Sequence, residues 1–425
     1  MARHFTGRGR QRADPDRFFP RAGAGRTCEG ELCMVIQPKV RGFICTNAHP
    51  VGCAANVEQQ IDYVLAQGEI PGGPRRALVI GASTGYGLAS RITAAFGCGA
   101  DTLGVFFEKE PTEKRPGTAG WYNTAALQQA ARARGLYAES INGDAFSDEV
   151  KTAVVDKLKR ELGPVDLVVY SIAAPRRTDP RSGITYTSAL KPIGQPFTMR
   201  GINTDSLVVE ETTVQPATEE EIQATIKVMG GEDWEWWMEL LDREGLLAPG
   251  CKSTAYTYIG KEMTWPLYGH AAIGMAKRDL DRAARAIDAR LQAQGGECRV
   301  SVLKALVTQA SSAIPIMPLY ISILYKIMKE EGTHEGCIEQ IQGLFAKQLY
   351  GTARQLDEDG RFRMDDKELR DAVQDQVKEL WETVTTENVE ALTDLKGYKE
   401  EFLRLFGFGI AGVDYSADVD PMVEL

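Results

Sequence analysis

The sequence predicts an α/β protein built on a Rossmann-type, doubly wound parallel sheet, elaborated with an inserted segment and a helical C-terminal part. Between residues 75 and 170, short continuous apolar runs alternate with amphipathic helical runs. The alternation resumes between residues 254 and 308, and a glycine-rich turn joins the first apolar run to the first helix. Continuous Val, Ile and Leu strands separated by helices are typical of a parallel sheet with helices on both faces.

The first half of the sheet is predicted to contain four strands. They are expected at residues 77–81, 102–108, 137–141 and 165–171. The intervening helices are expected to end near residue 96 and to cover residues 121–135 and 150–162. Right-handed crossovers between parallel strands then give the Rossmann arrangement.

The alternation fails between residues 174 and 252. This segment is rich in Thr, Pro and Glu and includes an amphipathic helix with Trp234, Trp236 and Trp237. It is too long for a plain loop, so we predict an insertion or small lid over the substrate pocket. The tryptophans either cover a bound ligand or pack in the core, and the pattern leaves both interpretations open.

The rest of the chain returns to regular elements. We predict a strand at residues 254–260, a long helix to about residue 294, and a strand at residues 300–308. The C-terminal third is expected to be mostly helical, with a hairpin-like stretch near residues 357–364. The most apolar run, residues 313–327, is too short to span a membrane and is predicted to be a helix, buried or partly exposed, beside a ligand pocket.

Composition and charge exclude several classes of protein. The 425 residues are 43% hydrophobic and 25% charged, which is typical of a globular protein and excludes a disordered or fibrous one. A net charge of −10 argues against a nucleic-acid binder.

The N-terminal residues 1–33 differ from the rest, with seven Arg against four acidic residues and no apolar run. We predict that they form a disordered, dispensable basic leader and that residues 34–425 form a single elaborated domain. A targeting leader and a tail that recruits a partner are the alternatives. A chain that begins at Met34 is expected to keep full activity.

The cysteines point to a reducing compartment. Eight cysteines are spread without regular pairing, which favours a cytoplasmic protein over a disulfide framework. Cys45, His49 and Cys53 have a C-x3-H-x3-C spacing, but no fourth ligand is near and Pro50 interrupts the segment. We therefore predict a packed or turn-forming segment there, and no metal site.

A glycine turn and a later acid predict dinucleotide binding. The turn follows the strand at residues 77–81 and has the form G-x-x-x-G-x-G; its residues are Gly81, Ala82, Ser83, Thr84, Gly85, Tyr86 and Gly87. Glycines let backbone N–H groups approach a pyrophosphate at a helix N-terminus. Glu108 ends the next strand, where a carboxylate binds the ribose 2′-OH and repels a 2′-phosphate, so NADH is predicted over NADPH. The neighbouring Lys109 is the one feature that favours the phosphate.

Several segments together resemble a known family. They are VIQPKVRGFIC, GASTGYG, VVYSIAAP, TYIGKEMTWP, ALVTQASSAIP and FLRLFGFGI, spread over residues 34–415. With Tyr268 and Lys277 in a Tyr-x8-Lys spacing, the sequence resembles the FabV-type trans-2-enoyl-CoA and enoyl-acyl-carrier-protein reductases, which are related to the short-chain dehydrogenases. A short-chain-dehydrogenase-like fold is therefore expected.

The spacing of this pair sets a condition on the backbone. Nine residues of continuous α-helix would separate Tyr268 and Lys277 by about 13.5 Å along the axis and place them on roughly opposite faces. They converge only if Tyr268 precedes the helix, near Pro266 and Gly269. A straight helix from residue 266 onward would exclude the pairing.

The resemblance implies NADH-dependent reduction of the 2,3-double bond of an enoyl thioester by a monomeric enzyme. Tyr268 would donate a proton or stabilise the enolate oxygen, and Lys277 would bind the cofactor ribose and lower the pKa of that tyrosine. Tyr258 would contact the thioester carbonyl. Further cofactor contacts are implied at Phe107, Glu108, Asp144, Ala145, Ile172, Ala173, Leu306, Val307 and Thr308. His270, between the catalytic pair, is either a second proton source or a surface or capping residue.

Other functions and the choice of carrier remain open at this point. A carbonyl reductase usually needs a Ser ahead of a Tyr-x3-Lys pair. The one Tyr-x3-Lys spacing in the sequence, Tyr325 with Lys329, lies at the end of the apolar run and not after the strand at residues 254–260. A nucleotide-sensing protein without catalysis is the other alternative. The substrate carrier is either coenzyme A or an acyl carrier protein. Arg176, Arg177 and Arg181 are candidates for a basic patch that would bind the acidic carrier protein or the phosphates of coenzyme A.

Overall fold

The computed structural model describes residues 33–352 and 354–425, and the predicted leader therefore lies almost entirely outside the described residues. The strands are β1 (Val40–Arg41), β2 (Ile44–Cys45), β3 (Arg76–Ile80), β4 (Asp101–Phe106), β5 (Ala138–Asn142), β6 (Val165–Tyr170), β7 (Arg176–Thr178), β8 (Thr185–Thr187), β9 (Phe197–Ile202), β10 (Val209–Val214), β11 (Leu247–Thr257), β12 (Glu297–Val302) and β13 (Phe362–Arg363). The helices are α1 (Pro50–Gln67), α2 (Gly85–Ile92), α3 (Ala119–Arg132), α4 (Asp148–Lys157), α5 (Glu219–Met229), α6 (Glu232–Arg243), α7 (Ala272–Gln292), α8 (Gln309–Ser312), α9 (Met317–Glu330), α10 (Cys337–Gly343), α11 (Asp371–Thr383), α12 (Val389–Leu392) and α13 (Leu395–Arg404).

Seven strands form one parallel sheet in the order β13-β12-β11-β6-β3-β4-β5. This is the predicted Rossmann-type sheet. The direction of strand addition reverses between β3 and β6, and ligands of open α/β sheets bind in the crevice beyond the carboxyl ends of strands at such a switch point.

Helices cover both faces of the sheet because its central strands are apolar on both sides. In β3, Ala77 and Val79 face the side covered by α1, α2, α3 and α10. Leu78 and Ile80 face the other side, which is covered by α4, α6 and α7. All four residues are fully buried. Alternation along one strand therefore fixes both layers, as the continuous apolar run predicts.

Two predicted strands are shifted in the structure. β11 begins at Leu247, which pairs with Val165, and a register shift separates that pair from the pairing of Lys252 with Leu167. The chain leaves the sheet after Val302, so the end of the predicted strand at residues 300–308 is a loop. These limits depend on neighbouring strands, which local propensity does not specify.

The predicted hairpin near residues 357–364 has a different role. A tight turn does form, since the Asp357 N–H bonds to the Arg361 carbonyl. The residues after the turn form β13, which pairs in parallel with β12 at the edge of the main sheet. The segment therefore adds a seventh strand.

The segment at residues 174–252 contains two antiparallel hairpins, β7–β8 and β9–β10, followed by α5 and α6. Trp234 and Trp237 of α6 are fully buried among residues of the main sheet, and Trp234 stacks on Tyr170 at a ring-centroid distance of 6.2 Å. For Trp234 and Trp237 the structure supports core packing, whereas Trp236 is half-buried with Arg177 and Arg181 over its ring.

The apolar run at residues 313–327 forms most of helix α9, which begins at Met317 with Pro318 in its first turn. The helix is buried among α11, α13 and the C-terminal residues. Ala313, Ile314 and Met317 also contribute to a pocket wall. The prediction of a helix beside a pocket is confirmed. No helix among the described residues combines the length and apolarity needed to cross a membrane.

Candidate active site

A cavity of about 570 Å³ opens at the carboxyl end of the sheet, beside the switch point. Segments that follow β3, β6, β11 and β12 contribute to its wall. The sequence-predicted residues that line it are Tyr86, Ile172, Ala173, Tyr258, Tyr268, Lys277, Leu306 and Thr308. The structure therefore brings together the predicted catalytic residues and part of the predicted cofactor set in one pocket.

Ten predicted cofactor residues lie outside that wall. They are Gly81, Ala82, Ser83, Thr84, Gly85, Phe107, Glu108, Asp144, Ala145 and Val307. All except Val307 belong to the loops that follow β3, β4 and β5, the half of the sheet that binds adenosine in Rossmann folds. Ala145 presents a carbonyl that accepts hydrogen bonds from Lys151 Nζ (3.0 Å) and Trp237 Nε1 (3.2 Å). This loop is therefore held firmly by the core beneath it.

The glycine turn has the geometry that a phosphate site needs. Gly81 has φ +85°, and a Cβ there would overlap the Ser171 carbonyl oxygen of the adjacent strand end. A Cβ on Gly87 would overlap the Gly81 carbonyl oxygen. Helix α2 begins directly after Thr84, whose side chain makes no capping hydrogen bond. The first N–H groups of α2 thus lie at the strand–helix turn, where they can bind an anion.

Glu108 is bound to this turn. Its Oε1 accepts a hydrogen bond of 2.7 Å from Ser83 Oγ, which joins the acid after β4 to the glycine turn after β3. The neighbouring Phe107 is 76% exposed, so its ring is free to contact a ligand. These residues fit the adenosine half of a dinucleotide with a free ribose 2′-OH.

The structure confirms the predicted backbone around Tyr268 and Lys277. Helix α7 begins at Ala272, and Tyr268 lies in a series of turns before it, with its N–H bonded to the Thr264 carbonyl. Lys277 lies on the helix and donates a long hydrogen bond of 3.5 Å to the Tyr256 carbonyl. Both side chains line the same pocket because the helix starts only after Tyr268.

Burial changes the acidity of both groups. It lowers the pKa of Lys277 to about 8, with Asp281 acting in the opposite direction. It also raises the pKa of Tyr268, and the Glu368 carboxylate raises it further. Desolvation of the phenolate therefore dominates the Tyr268 pKa in this arrangement, and the lowering by Lys277 stays a prediction.

Tyr258 stands beside Tyr268 in the pocket. The two rings meet edge to face at a centroid distance of 4.8 Å and an angle of 76°. The Tyr258 hydroxyl donates a hydrogen bond of 3.0 Å to Glu368 Oε1. Burial, and next the Glu368 carboxylate, raise the pKa of Tyr258, so its hydroxyl stays protonated at neutral pH.

Glu368 is the residue that sequence reasoning missed. It is fully buried, and burial raises its pKa against the opposing effects of Lys304, the Ala305 amide and Tyr320. In the sequence it lies in the acidic stretch MDDKEL, which is typical of an exposed turn. No local signal distinguishes it from its neighbours.

Two other features of the sequence take no part in the pocket. His270 is exposed and contacts the Trp265 ring, which agrees with a surface role. His49 caps α1 by accepting the Gly52 N–H, and no group of three possible metal ligands is found among the described residues.

Arg177, the central residue of the predicted basic patch, is buried. Arg177 is 2% exposed, paired with Glu232 at 3.0 Å, and bonded to the Lys227 carbonyl. Its guanidinium also lies over the Trp236 ring, 4.7 Å from its centroid. A buried, paired guanidinium is unavailable to an approaching carrier, so that part of the expectation is wrong.

The fold and the pocket define a Rossmann-type protein with a dinucleotide site beside a substrate-sized cavity. Family models match three consecutive parts of the chain. Residues 35–113 match the NAD(P)H binding domain of trans-2-enoyl-CoA reductase, residues 115–350 match the trans-2-enoyl-CoA reductase catalytic region, and residues 356–419 match the enoyl reductase FAD binding domain. The chain belongs to the trans-2-enoyl-CoA reductase family.

Individual relatives agree with this assignment. The enoyl-[acyl-carrier-protein] reductase [NADH] of Saccharophagus degradans is 63% identical over 92% of this chain and 99% of its own length. The Burkholderia multivorans enzyme of the same name is 61% identical over 92% of this chain and 98% of its own. Among solved structures, trans-2-enoyl-CoA reductase of Treponema denticola in complex with NAD is 48% identical and has a TM-score of 0.88, covering 92% of this chain and all of the other.

The FAD binding that one family description implies does not fit the residues found here. The segment at residues 356–419 contributes Phe406 to the main pocket and four residues to a separate cavity of about 280 Å³. That volume is below the range of about 300–1,000 Å³ that small-molecule pockets occupy. Among the described residues of the segment, no glycine turn joins a sheet strand to a helix. We therefore derive no step through a flavin.

Proposed function

We propose that this chain catalyses NADH-dependent reduction of the 2,3-double bond of trans-2-enoyl thioesters to saturated acyl thioesters in fatty acid synthesis. One observation carries the proposal. Tyr258, Tyr268 and Lys277 share a single pocket with Tyr86 of the glycine turn and with the Leu306–Thr308 region. The names of the relatives agree with this activity.

Bound NADH supplies the hydride that adds to C3 of the substrate. Hydride addition gives an enolate, whose negative charge is centred on the thioester oxygen. Tyr258 lies beside the thioester carbonyl and contacts it with its ring, because its hydroxyl proton is donated to Glu368. Tyr268 donates its hydrogen bond to the enolate oxygen or its proton to C2. Lys277 holds the cofactor ribose with its ammonium group. Apolar wall residues such as Ile273, Leu306 and Met317 exclude water from the reacting atoms.

Glu108 supports the preference for NADH. Its carboxylate is fixed against the glycine turn by Ser83, at the place where the adenosine ribose is expected. A fixed negative charge there accepts hydrogen bonds from a 2′-OH and repels a 2′-phosphate. Lys109 donates its backbone N–H to Thr118, and the hydrogen bond from this loop to the glycine turn is made by the Glu108 carboxylate.

The proposal also covers the carrier of the acyl group. We infer that thioesters of both coenzyme A and an acyl carrier protein are accepted, since relatives bear both names. Rates on matched crotonyl thioesters of the two carriers measure the preference. A cytoplasmic location and a monomeric state are further proposals, tested by cell fractionation and by light scattering of the purified protein.

A steady-state assay tests the function. Purified protein is mixed with NADH and crotonyl-CoA, and the loss of NADH absorbance is followed. Acetoacetyl-CoA replaces the enoyl substrate in a parallel reaction. Turnover of crotonyl-CoA alone supports the proposal, turnover of acetoacetyl-CoA alone indicates a carbonyl reductase, and NADH binding without turnover of either indicates a nucleotide sensor.

A further inference from the structure

A buried carboxylate lies directly behind the pocket. Glu368 follows β13 in a turn and is 0% exposed. Its Oε1 accepts hydrogen bonds from the hydroxyls of Tyr258 (3.0 Å) and Tyr320 (2.8 Å). Its Oε2 accepts the Ala305 amide N–H at 2.6 Å. One side chain thus joins the loop after β11, helix α9 and the loop after β12.

In the proposed mechanism, the loop after β11 contacts the thioester and the loop after β12 contacts the cofactor. Tyr258 contacts the thioester carbonyl, and Ala305 immediately precedes Leu306, Val307 and Thr308, which approach the nicotinamide. The carboxylate bridges the tyrosine and the amide through its two oxygens. The placement of the substrate carbonyl relative to the cofactor is therefore coupled to one rigid group.

The bridge is itself held in place. Gln374 Nε2 donates to the Glu368 carbonyl (2.8 Å) and to the Tyr320 hydroxyl (3.2 Å). Lys304 is buried next to it and donates from Nζ to the Ala305 carbonyl at 2.9 Å. A buried carboxylate is costly unless it is fully hydrogen-bonded, and this one receives three donors. These hydrogen bonds leave the Glu368 side chain little freedom to move, and a positioning group needs that rigidity.

We propose that Glu368 is a positioning residue that holds the Tyr258 hydroxyl and the Ala305–Thr308 segment in fixed relation, so that the thioester meets the cofactor in a reactive geometry. This inference rests on the proposed function. Glu368 is absent from the pocket wall that the described residues form, so it acts through Tyr258 and Ala305.

The test compares Glu368→Gln with wild type and with a matched control. Glutamine presents an NH₂ donor in place of the carboxylate oxygen that accepts from both tyrosines. The Tyr258 and Tyr320 hydroxyls must then turn their protons away from residue 368, and the charge that orders them is lost. We expect kcat to fall about 10- to 100-fold, because misplacement of about 1 Å costs up to that factor. The KM for crotonyl-CoA and the dissociation constant for NADH, measured by NADH fluorescence, should change little. Asp365→Asn removes another buried acid of the same turn, one paired with Arg363, and should keep kcat.

A double-mutant comparison makes the inference specific. In a Tyr258→Phe background, Glu368→Gln should lower kcat by less than about threefold, because two groups that act as a unit are not additive. An equal loss in both backgrounds, or a Glu368→Gln variant that loses melting temperature but keeps kcat, would overturn the inference. If the glutamine variant fails to fold, Glu368→Asp replaces it in the test. The shorter acid keeps its charge but cannot reach both Tyr258 and Ala305, so its kcat should also fall. Wild-type inactivity would instead defeat the proposed function.

Discussion

Replacing Lys277 with Met should stabilise the folded protein while removing its activity. The lysine is half-buried in the pocket wall, donates one long hydrogen bond, and has a pKa lowered to about 8 by burial. Asp281 compensates the ammonium only in part, because its carboxylate is also bound to Arg361 at 2.7 Å. Methionine has nearly the same length and needs no charge in the pocket wall.

The magnitude follows from the pKa. A fall from the usual value of 10.5 to about 8 makes the charged lysine cost at most about 3 kcal/mol in the folded state. The unfolded chain binds this proton more tightly, so stability rises with pH between 8 and 10.5. Below pH 8 the full cost remains, and above 10.5 it disappears. Water in the pocket reduces the figure, so we expect Lys277→Met to be about 1–3 kcal/mol more stable at pH 7.

The assay is urea unfolding of both proteins without nucleotide at pH 7, 8.5 and 10. Other titrating groups affect both proteins alike, so the difference in free energy of unfolding isolates Lys277. It should be largest at pH 7 and shrink toward pH 10. A wild type that is more stable than the variant at pH 7, or a difference that does not change with pH, refutes the reasoning. Activity with NADH and crotonyl-CoA should be lost at every pH.

Three further substitutions have defined outcomes. Tyr268→Phe should lower kcat by about 100-fold or more, the range of general acid catalysis, and leave NADH fluorescence binding unchanged. Glu108→Ala should reduce the ratio of kcat/KM for NADH over NADPH at least about tenfold, since the charge that repels a 2′-phosphate is removed. Gly87→Ala should destabilise the protein by about 3 kcal/mol or more in urea unfolding, because its Cβ would overlap the Gly81 carbonyl oxygen.

Each of these has a result that would count against it. Tyr268→Phe with near-normal kcat would move the proton donor to another residue. An unchanged cofactor ratio in Glu108→Ala would show that Ser83 and the turn set the preference without the acid. A normally stable Gly87→Ala protein would show that the turn can relax away from the helix.

The sequence alone was enough to predict the central sheet, the glycine turn and the start of helix α7 after Tyr268. These depend on local rules: side-chain alternation in a strand, the absence of a Cβ at glycine, and the rise and period of a helix. The same rules predicted the buried helix α9, whose apolar run leaves no exposed face.

Tertiary structure alone decided the role of Glu368, the burial of Arg177 and the place of β13 at the sheet edge. Glu368 lies 110 residues beyond Tyr258 in the chain, and nothing in the acidic stretch around it indicates burial. Arg177 looks like one of three exposed arginines until α6 brings Glu232 and Trp236 against it. Contacts between residues so distant in sequence arise from how the layers pack, and local pattern carries no information about that packing.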